Sequence, residues 1–415
     1  MTGTTEQRAA ERLLSGAAWN DLCAVLKRAG DIIHQFGDDV DELDRTEWYR
    51  FLSRLLRHGI QRYVENSEPD RPRLLNTPWR QAINFQSPDQ DHLIAEFFDG
   101  AHDYRISGNR GTIPYFVMAA WEGGFPEDHG ARDWADAGVA GLRDFDPAVM
   151  RATAFLPSDR IRFDVQGNFS VTVSRTQPEG GQDWLPITGA SVGVLVRTLY
   201  HLREETIAPS LRIERLDGAL PRPLRAGELS GSLARAGQIV FGYAELVRRW
   251  WQESFSCTPN RISFDLALYL ANGGVADRHH GFGTWTCGRD DALVVCFAPP
   301  ECDYWIFQLC NVFQENLDNY EDGDGYLQKY RAHYEPDGSV RVVIAHRDPR
   351  LGGNWIDPFG HVHGAWSLRF IKTSGGPPDV SVYRLPLASL EAGGFDALRA
   401  AREERSGGLT SNEIT

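Results

Sequence analysis

An internal repeat constrains this chain more than any other feature of its sequence. Residues 167–189 align without a gap with residues 338–360, at a constant offset of 171 and with six identities in 23 positions. The identical residues are three glycines, a proline, a tryptophan and a valine, which are types that set backbone geometry. Self-similarity at a fixed offset indicates that one supersecondary unit occurs twice. We therefore expect two copies of one local structure.

Each copy has the pattern of a strand, a turn and a second strand. Apolar residues alternate before a stretch rich in proline and glycine, a tryptophan follows, and a new strand starts after a glycine. We interpret each copy as a β-hairpin module. A single hairpin cannot bury its apolar face alone, so two modules predict packed sheets in a sandwich or jelly-roll-like arrangement. The strand that follows reaches an arginine in both copies, Arg197 and Arg369.

The predicted fold class is α+β, with helices first and strands after them. Apolar residues recur at helical spacing near the N-terminus, and strand-like runs broken by Gly, Pro and Asp dominate later. The predicted divisions are a mainly helical region at 1–90, a first β-rich module at 91–230, a connecting helix at 231–260, a second β-rich module carrying the candidate site at 261–390, and a C-terminal helix with a disordered tail at 391–415.

A further hairpin is predicted inside the first β-rich module. In residues 103–124, two β-rich runs flank a Gly-Asn-Arg-Gly turn. Within it, Tyr104 and Arg105 are candidate substrate-binding residues, because an arginine beside a tyrosine can hold a carboxylate or carbonyl oxygen. The alternative is that this pair packs across neighbouring strands.

Composition excludes several classes of partner. A formal charge of −14 argues against affinity for nucleic acid phosphates or an anionic membrane. No apolar run approaches the roughly 18–20 residues that span a bilayer, and the N-terminus lacks the layout of a secretory signal, so we expect a cytoplasmic protein. The six cysteines form no CxxC pair, which indicates reduced thiols. We expect a small-molecule partner and, by default, a homodimer.

The repeat also locates a candidate site. Residues present in both copies are expected to serve folding, whereas residues present in one copy need another explanation. The second copy alone carries a set of titratable side chains between 346 and 363. The candidates for catalysis in this set are His361, Arg347 and Asp348.

His361 and His363 lie two apart in a predicted strand, so both imidazoles should project from one face. This spacing is compatible with iron, zinc or manganese, with Asp357 as a third ligand and His346 as a further donor. A divalent metal is therefore one hypothesis for the site. The alternative is that His361 bonds a backbone carbonyl and His363 is a partly exposed strand residue.

A second candidate cluster lies in the glycine-rich segment 273–285. Asp277, His279 and His280 precede a predicted strand there. A neutral histidine oriented by a carboxylate can act as a general acid or base near pH 7. Adjacent histidines in an extended segment point opposite ways, so at most one should enter a cavity. A solvated turn is the alternative.

The chain resembles a bacterial family known only as a domain of unknown function. The resemblance covers about 95–372 and depends on a YW strand, a DP turn, an NW corner and a GH before the last strand. The matching residues are Tyr304, Trp305, Asp348, Pro349, Asn354, Trp355, Gly360 and His361. It implies a β-rich domain preceded by helices, in proteins often encoded beside catabolic or secondary-metabolic enzymes that act on lipophilic compounds. His346 and His363 lie outside this pattern.

Two functional hypotheses follow. The first is a hydrolase or lyase without an organic cofactor, acting on a terpenoid-like, steroid-like or aromatic compound in an aromatic-lined cavity. His361 or the 279–280 pair would move the proton, and Tyr304, Trp305 and Asn354 would join the arginines in binding substrate. The second is a non-catalytic carrier of the same ligand. Residues 189–193 match GxSxG but start a predicted strand and do not join a strand to a helix, and no P-loop or GxGxxG occurs, so α/β-hydrolase, NTPase and Rossmann interpretations lose their usual support.

Overall fold

The computed structural model describes most of the chain. The residues it describes are 5–66, 70–76, 86–95, 100–122, 151–218, 222–255, 259–266, 269 and 278–405. Asp277 and the tail after residue 405 lie outside them, so the expectations for both remain predictions. Within the described part, the fold is α+β, as expected, with helices at the N-terminus followed mostly by β-sheets.

The N-terminal helices are α1 (Thr5–Leu14), α2 (Ala17–Asp31) and α3 (Glu42–Gly59), and a π-helical turn, Ile60–Val64, continues α3. A capping box starts α3, because the Asp41 side chain accepts from the Asp44 amide and the Asp44 side chain accepts from the Asp41 amide. The apolar stripe of α3 is buried, including Trp48, Phe51 and Leu55.

A long helix, α4 (Ala226–Phe255), confirms the predicted connecting helix and extends it toward the N-terminus. It packs against α1, α2 and α3. The contact with α3 is close at Gly59, where a Cβ atom would lie 2.9 Å from Ile239 Cγ2 and 3.0 Å from the Ala236 carbonyl oxygen. A larger residue at this position would therefore push the two helices apart.

The first half of the β region contains two sheets. Its strands are β1 (Leu75–Asn76), β2 (His92–Ala95), β3 (Tyr104–Asn109), β4 (Tyr115–Glu122), β5 (Arg151–Pro157), β6 (Asn168–Ser174), β7 (Asp183–Pro186), β8 (Ser191–Leu199) and β9 (Ser210–Arg215). Sheet 1 has the order β1-β2-β8-β4-β5, and sheet 2 has the order β7-β6-β3-β9.

The second half also contains two sheets. Its elements are β10 (Ser263–Phe264), β11 (Arg278–Thr286), β12 (Asp291–Phe297), β13 (Cys302–Cys310), β14 (Tyr326–Gln328), β15 (Val340–Ala345), β16 (Asn354–Ile356), β17 (His363–Thr373), β18 (Val380–Pro386), α5 (Leu387–Gly393) and β19 (Arg402–Arg405). Sheet 3 has the order β10-β11-β17-β13-β14, and sheet 4 has the order β16-β15-β12-β18-β19.

The four sheets stack as layers. Sheets 1 and 2 share one apolar core, with Val196 from β8 and Val171 from β6. Sheets 3 and 4 share another, with Leu368 from β17 and Val342 from β15. The remaining faces of sheets 1 and 3 meet, because Leu199 of β8 belongs to one cluster with residues of β13 and β17. Sheets 1 and 3 are therefore the inner layers.

The two copies of the repeat adopt parallel strand pairs, so interpreting them as hairpins was wrong. β6 pairs with β7 in parallel, with Val171 opposite Asp183, and β15 pairs with β16 in parallel, with Val342 opposite Asn354. The connecting segments, 175–182 and 346–353, return the chain to positions beside Val171 and Val342. Both registers keep the offset of 171 seen in the sequence.

The hairpin predicted at 103–124 was also wrong. β3 lies in sheet 2, between β6 and β9, whereas β4 lies in sheet 1, between β8 and β5. The Gly-Asn-Arg-Gly turn instead contacts neighbouring loops, since the Arg110 amide donates to the Gly167 carbonyl at 2.9 Å. The segment thus crosses from one sheet to the next. Local turn signals do not distinguish these two outcomes.

Candidate functional site

His361 lies in the turn before β17 and contacts helix α3. Its side chain is about 1% exposed, with Nδ1 3.6 Å from Asp44 Oδ1 and Nε2 3.4 Å from Glu47 Oε2. His363 Nε2 lies 2.6 Å from Asp44 Oδ2. Both imidazoles therefore lie near the same carboxylate, which belongs to a helix at the other end of the chain. His361 lies outside the predicted strand, which begins at His363.

The charges of this contact compensate one another. Although burial opposes it, the nearby carboxylates of Asp44 and Glu47 raise the pKa of His361 to about 9. Burial likewise opposes ionisation of Asp44, yet the adjacent imidazoles of His361 and His363 hold the pKa of that carboxyl well below its usual range. An ionised histidine between two ionised carboxylates joins α3 to sheet 3.

More polar side chains extend the contact along α3. Asn311 Nδ2 donates to Glu47 Oε2 at 2.9 Å and to Glu315 Oε2 at 3.1 Å. Arg54 NH1 donates to Glu315 Oε1 at 3.0 Å. Burial raises the pKa of Glu315 to about 7 despite the arginine. We call the set Asp44, Glu47, Arg54, Asn311, Glu315, His361 and His363 the helix-docking network.

The other catalytic candidates of the repeat lie elsewhere. Arg347 Nε donates to Glu391 Oε1 at 2.8 Å, and the arginine side chain is 58% exposed. Asp348 accepts from the Arg350 amide at 2.8 Å, and Asp357 accepts from the Phe359 amide at 2.8 Å, so both carboxylates stabilise turns. The structure does not bring these three residues together with His361 in one cavity.

The predicted metal ligands are only partly assembled. Among the described residues, the group with metal-compatible spacing is Asp41, Asp44 and His363, which includes one of the three expected ligands. Asp41 and Asp44 already accept the hydrogen bonds of the α3 capping box. His346 lies outside this group. Hydrogen bonds of the helix start thus account for the proximity of these side chains.

Four candidate substrate-binding residues have structural contacts. Tyr104 is fully buried between sheets 1 and 2, and Arg105 pairs with Glu214 at 3.6 Å. Trp305 is buried between sheets 3 and 4, where its Nε1 donates to Tyr334 Oη at 3.0 Å. Asn354 Nδ2 donates to the carbonyl oxygens of His333 and Arg341.

The two adjacent histidines of β11 point to opposite faces of sheet 3, as expected. His279 Nε2 lies 2.8 Å from the Gly375 carbonyl oxygen. His280 faces sheet 1, with Nε2 2.9 Å from Ser367 Oγ and 3.3 Å from an Arg369 guanidinium nitrogen. His280 therefore enters the space between the inner sheets.

Two cross-strand pairs of histidine and arginine face each other there. His92 lies opposite Arg197 in sheet 1, and His280 lies opposite Arg369 in sheet 3. Strand alternation sets the direction, because Val196 and Leu368 fill the two outer cores and their neighbours must point the other way. We call these four residues the inner-sheet cluster.

The inner-sheet cluster differs from the helix-docking network in its charges, because its four residues include no carboxylate. Burial, reinforced by the positive charge of Arg278, lowers the pKa of Arg197. Burial also lowers the pKa of Arg369 to about 10 and holds the pKa of His92 and of His280 well below its usual range. The histidines are thus neutral at pH 7, and the arginines carry the charge.

Arg197 has no hydrogen bond or ion pair among the described residues, and its Nε atom is buried without a partner. Arg197, Arg369 and His280 are partly accessible and lie on the facing sides of sheets 1 and 3. We call the region between these two facing sides the space between sheets 1 and 3.

Helix α3 brings His58 close to His92 of the inner-sheet cluster. His58 is 1% exposed, and neither ring nitrogen has a hydrogen-bond partner in the described part of the chain. Burial, with the charge of Arg62, lowers the pKa of His58 to about 3. The Arg62 guanidinium stacks over Trp121 at 5.0 Å, and the Trp121 Nε1 atom is a buried donor without a partner.

Tyr304 is the candidate substrate-binding residue that does face this space. Its hydroxyl donates to Asp89, which also accepts from Tyr326 at 3.4 Å. Burial raises the pKa of Asp89 to about 6 and raises the pKa of Tyr304 well above its usual value.

Sequence reasoning missed His58, His92 and Asp89, which stand in no motif. An arginine follows each copy of the repeat, Arg197 after the first and Arg369 after the second. This shared arginine is the feature of the sequence that could have indicated the cluster. Because residues shared by both copies were expected to serve folding, Arg197 and Arg369 were not among the predicted site residues.

A solved structure from Burkholderia cenocepacia, of an uncharacterized protein, is similar to this chain. The two share 30% sequence identity with a TM-score of 0.80, and the match covers 92% of this chain and 100% of that chain. This chain belongs to the same family. The membership confirms the expected kinship with bacterial proteins of unknown function.

Other comparisons add little to the family assignment. A Vibrio parahaemolyticus structure is 10% identical with a TM-score of 0.43, over 80% of this chain and 98% of that chain, and carries no argument. No family model and no curated protein matches the sequence. Among the described residues, no helix is both long and apolar enough to cross a bilayer.

Proposed function

We propose that the protein is an enzyme, a hydrolase or lyase, that acts on a lipophilic small molecule between sheets 1 and 3. The observation that supports this most is Arg197, a guanidinium deep in the protein with no partner among the described residues. Burying an uncompensated charge costs free energy. Such groups concentrate at functional sites, where a ligand supplies the missing contact.

In this proposal, acid–base chemistry depends on His58. Its imidazole is neutral at pH 7 and its ring nitrogens are free to accept a proton from the ligand or donate one to it. Arg197 and Arg369 hold the ligand oxygen on which charge develops. His280 positions Arg369 through the 3.3 Å contact between them. Tyr304 closes one side of the space.

The two histidine–arginine pairs support a duplicated architecture. We propose that sheets 1 and 2 form one β-sandwich and sheets 3 and 4 a second, derived from the same ancestral module. The matching parallel registers support this relation, as does a matching tryptophan: Trp184 Nε1 donates to the Ser174 carbonyl at 3.0 Å, and Trp355 Nε1 donates to the Ala345 carbonyl at 2.8 Å. These residues are also 171 apart.

The alternative function is a non-catalytic carrier that uses the same space. The test is a panel of lipophilic metabolites offered to the wild type and to His58→Ala, with thermal shift for binding and mass spectrometry for turnover. The proposal expects turnover by the wild type and its loss, with binding kept, in His58→Ala. Binding without turnover by the wild type would favour a carrier, and absence of binding would overturn both functions.

A further inference from the structure

We infer that the ligand carries a carboxylate and that Arg197 and Arg369 grip it together, one guanidinium from each inner sheet. This inference rests on the proposed function and names the chemical class of its substrate. The ligand would be an amphiphilic acid, with its charged end at the inner-sheet cluster and its apolar body along the aliphatic side chains beside it.

The charge balance supports an anion. The positive charge of Arg278 adds to burial in lowering the pKa of Arg197, and the charges of Arg197 and Arg278 add to burial in lowering that of Arg369. The positive charges of Arg197 and Arg369 both lower the pKa of His92, so both guanidinium groups lie near this imidazole. No carboxylate contributes to the surroundings of Arg197 in the described chain. An anion at Arg197 would therefore supply a negative charge that no described carboxylate supplies to this residue.

Other partly buried arginines pair with a carboxylate of the protein, which Arg197 does not. Arg54 pairs with Glu315 at 3.0 Å, Arg203 pairs with Asp91 at 3.2 Å, and Arg215 pairs with Asp70 at 2.6 Å. The chain supplies carboxylates for these arginines. The described chain supplies no carboxylate to Arg197, so in this inference the ligand provides its counter-ion.

The choice of guanidinium and of location favours a carboxylate. A planar guanidinium fork matches the two oxygens of a carboxylate and is weakly hydrated, which suits a buried contact. Phosphate sites in proteins commonly add backbone amides at a helix start. Arg197 and Arg369 stand in the middle of central strands, where the backbone amides already pair with neighbouring strands.

The neighbours of the two arginines favour an apolar body. In the cross-strand rows, Val117 lies on the other side of Arg197 from His92, and Ile306 lies on the other side of Arg369 from His280. Each arginine is therefore flanked by one neutral imidazole and one aliphatic side chain. Both aliphatic side chains are buried, so the surroundings of the guanidinium groups are apolar and suit a lipophilic acid better than a small, fully hydrated anion.

The test compares dodecanoate and 2-naphthoate with their methyl esters and with dodecyl phosphate, by calorimetric titration of the full chain. We expect at least one acid to bind the wild type at least tenfold more tightly than its ester and than the phosphate. Arg197→Met and Arg369→Met should each lose about tenfold or more in affinity for the acid and little for the ester. Arg212→Met, which changes an exposed arginine in sheet 2, should alter neither affinity.

The outcomes separate the inference from the function on which it rests. Equal binding of acid and ester would overturn the carboxylate and leave the small-molecule site standing. Tighter binding of dodecyl phosphate would also overturn the carboxylate. Binding of none of these probes to the wild type would count against both proposals. Circular dichroism of each variant verifies that an altered affinity does not reflect unfolding.

Discussion

The helix-docking network and the inner-sheet cluster are both buried and polar, but they differ in charge balance. In the first, His361 and Arg54 each face a carboxylate of the protein. In the second, Arg197 faces other positive charges and no described carboxylate. The comparison teaches that burial and titratable chemistry do not by themselves identify a site. The uncompensated group is the better guide, because folding alone gives no reason to keep it.

The largest effect is expected when the compensated region loses its cation. His361→Ala leaves Asp44 and Glu47 buried without the imidazole between them, so the free energy of unfolding should fall by about 3–5 kcal/mol. Urea unfolding measures this loss. A change below about 1 kcal/mol would contradict the docking role and return His361 to the list of catalytic candidates.

The pH dependence of stability should show the same network. His361 has its pKa raised from 6.5 to about 9, mainly by its two carboxylates against the opposing effect of burial, so its contribution is full below pH 6.5 and is lost as the pH rises through 9. The loss should amount to about 3 kcal/mol in the wild type. His361→Gln should lack this alkaline decline when unfolding is measured across the same range.

Asp44 gives the opposite slope at acid pH. Hydrogen bonds to the two histidines outweigh burial and depress its pKa, so its contribution is full above 3.8 and is lost as the pH falls below that value. Stability should therefore be highest between the acid and alkaline declines. An optimum that stays in place in His361→Gln would contradict the assignment.

A matched pair of substitutions should change stability in opposite directions. Arg197→Met removes an uncompensated charge and should raise the free energy of unfolding by about 1–2 kcal/mol, at the cost of ligand binding. Arg54→Met leaves Glu315 buried without its arginine partner and should lower the free energy of unfolding. Thermal unfolding of the ligand-free variants measures both. Destabilisation by both would show that Arg197 is structural.

The smallest effect is expected at the exposed pair of Arg347 and Glu391. Arg347→Ala should leave the midpoint of urea unfolding unchanged, because exposed ion pairs contribute little to stability. It should also leave turnover of any substrate unchanged. A loss of turnover with folding intact would restore this residue as a catalytic candidate.

Sequence reasoning located the elements better than their partners. The periodicity of α3 and α4 predicted two long helices, because the spacing of apolar residues is local information. The repeat predicted matching strands but not parallel pairing, because the connection between β6 and β7 permits either direction. The predicted strand includes His363 but not His361, and Asp44, which both histidines approach, lies more than 300 residues away. No local pattern contains that contact.

The position of the inner-sheet cluster has a consequence for how the protein unfolds. A ligand held by Arg197 and Arg369 touches both halves of the β region at once, so it must leave before sheets 1 and 3 can separate. At a concentration one hundred times its dissociation constant, such a ligand would add about 2.7 kcal/mol to the cost of unfolding. The two halves, each with its own apolar core, would then melt as one cooperative unit.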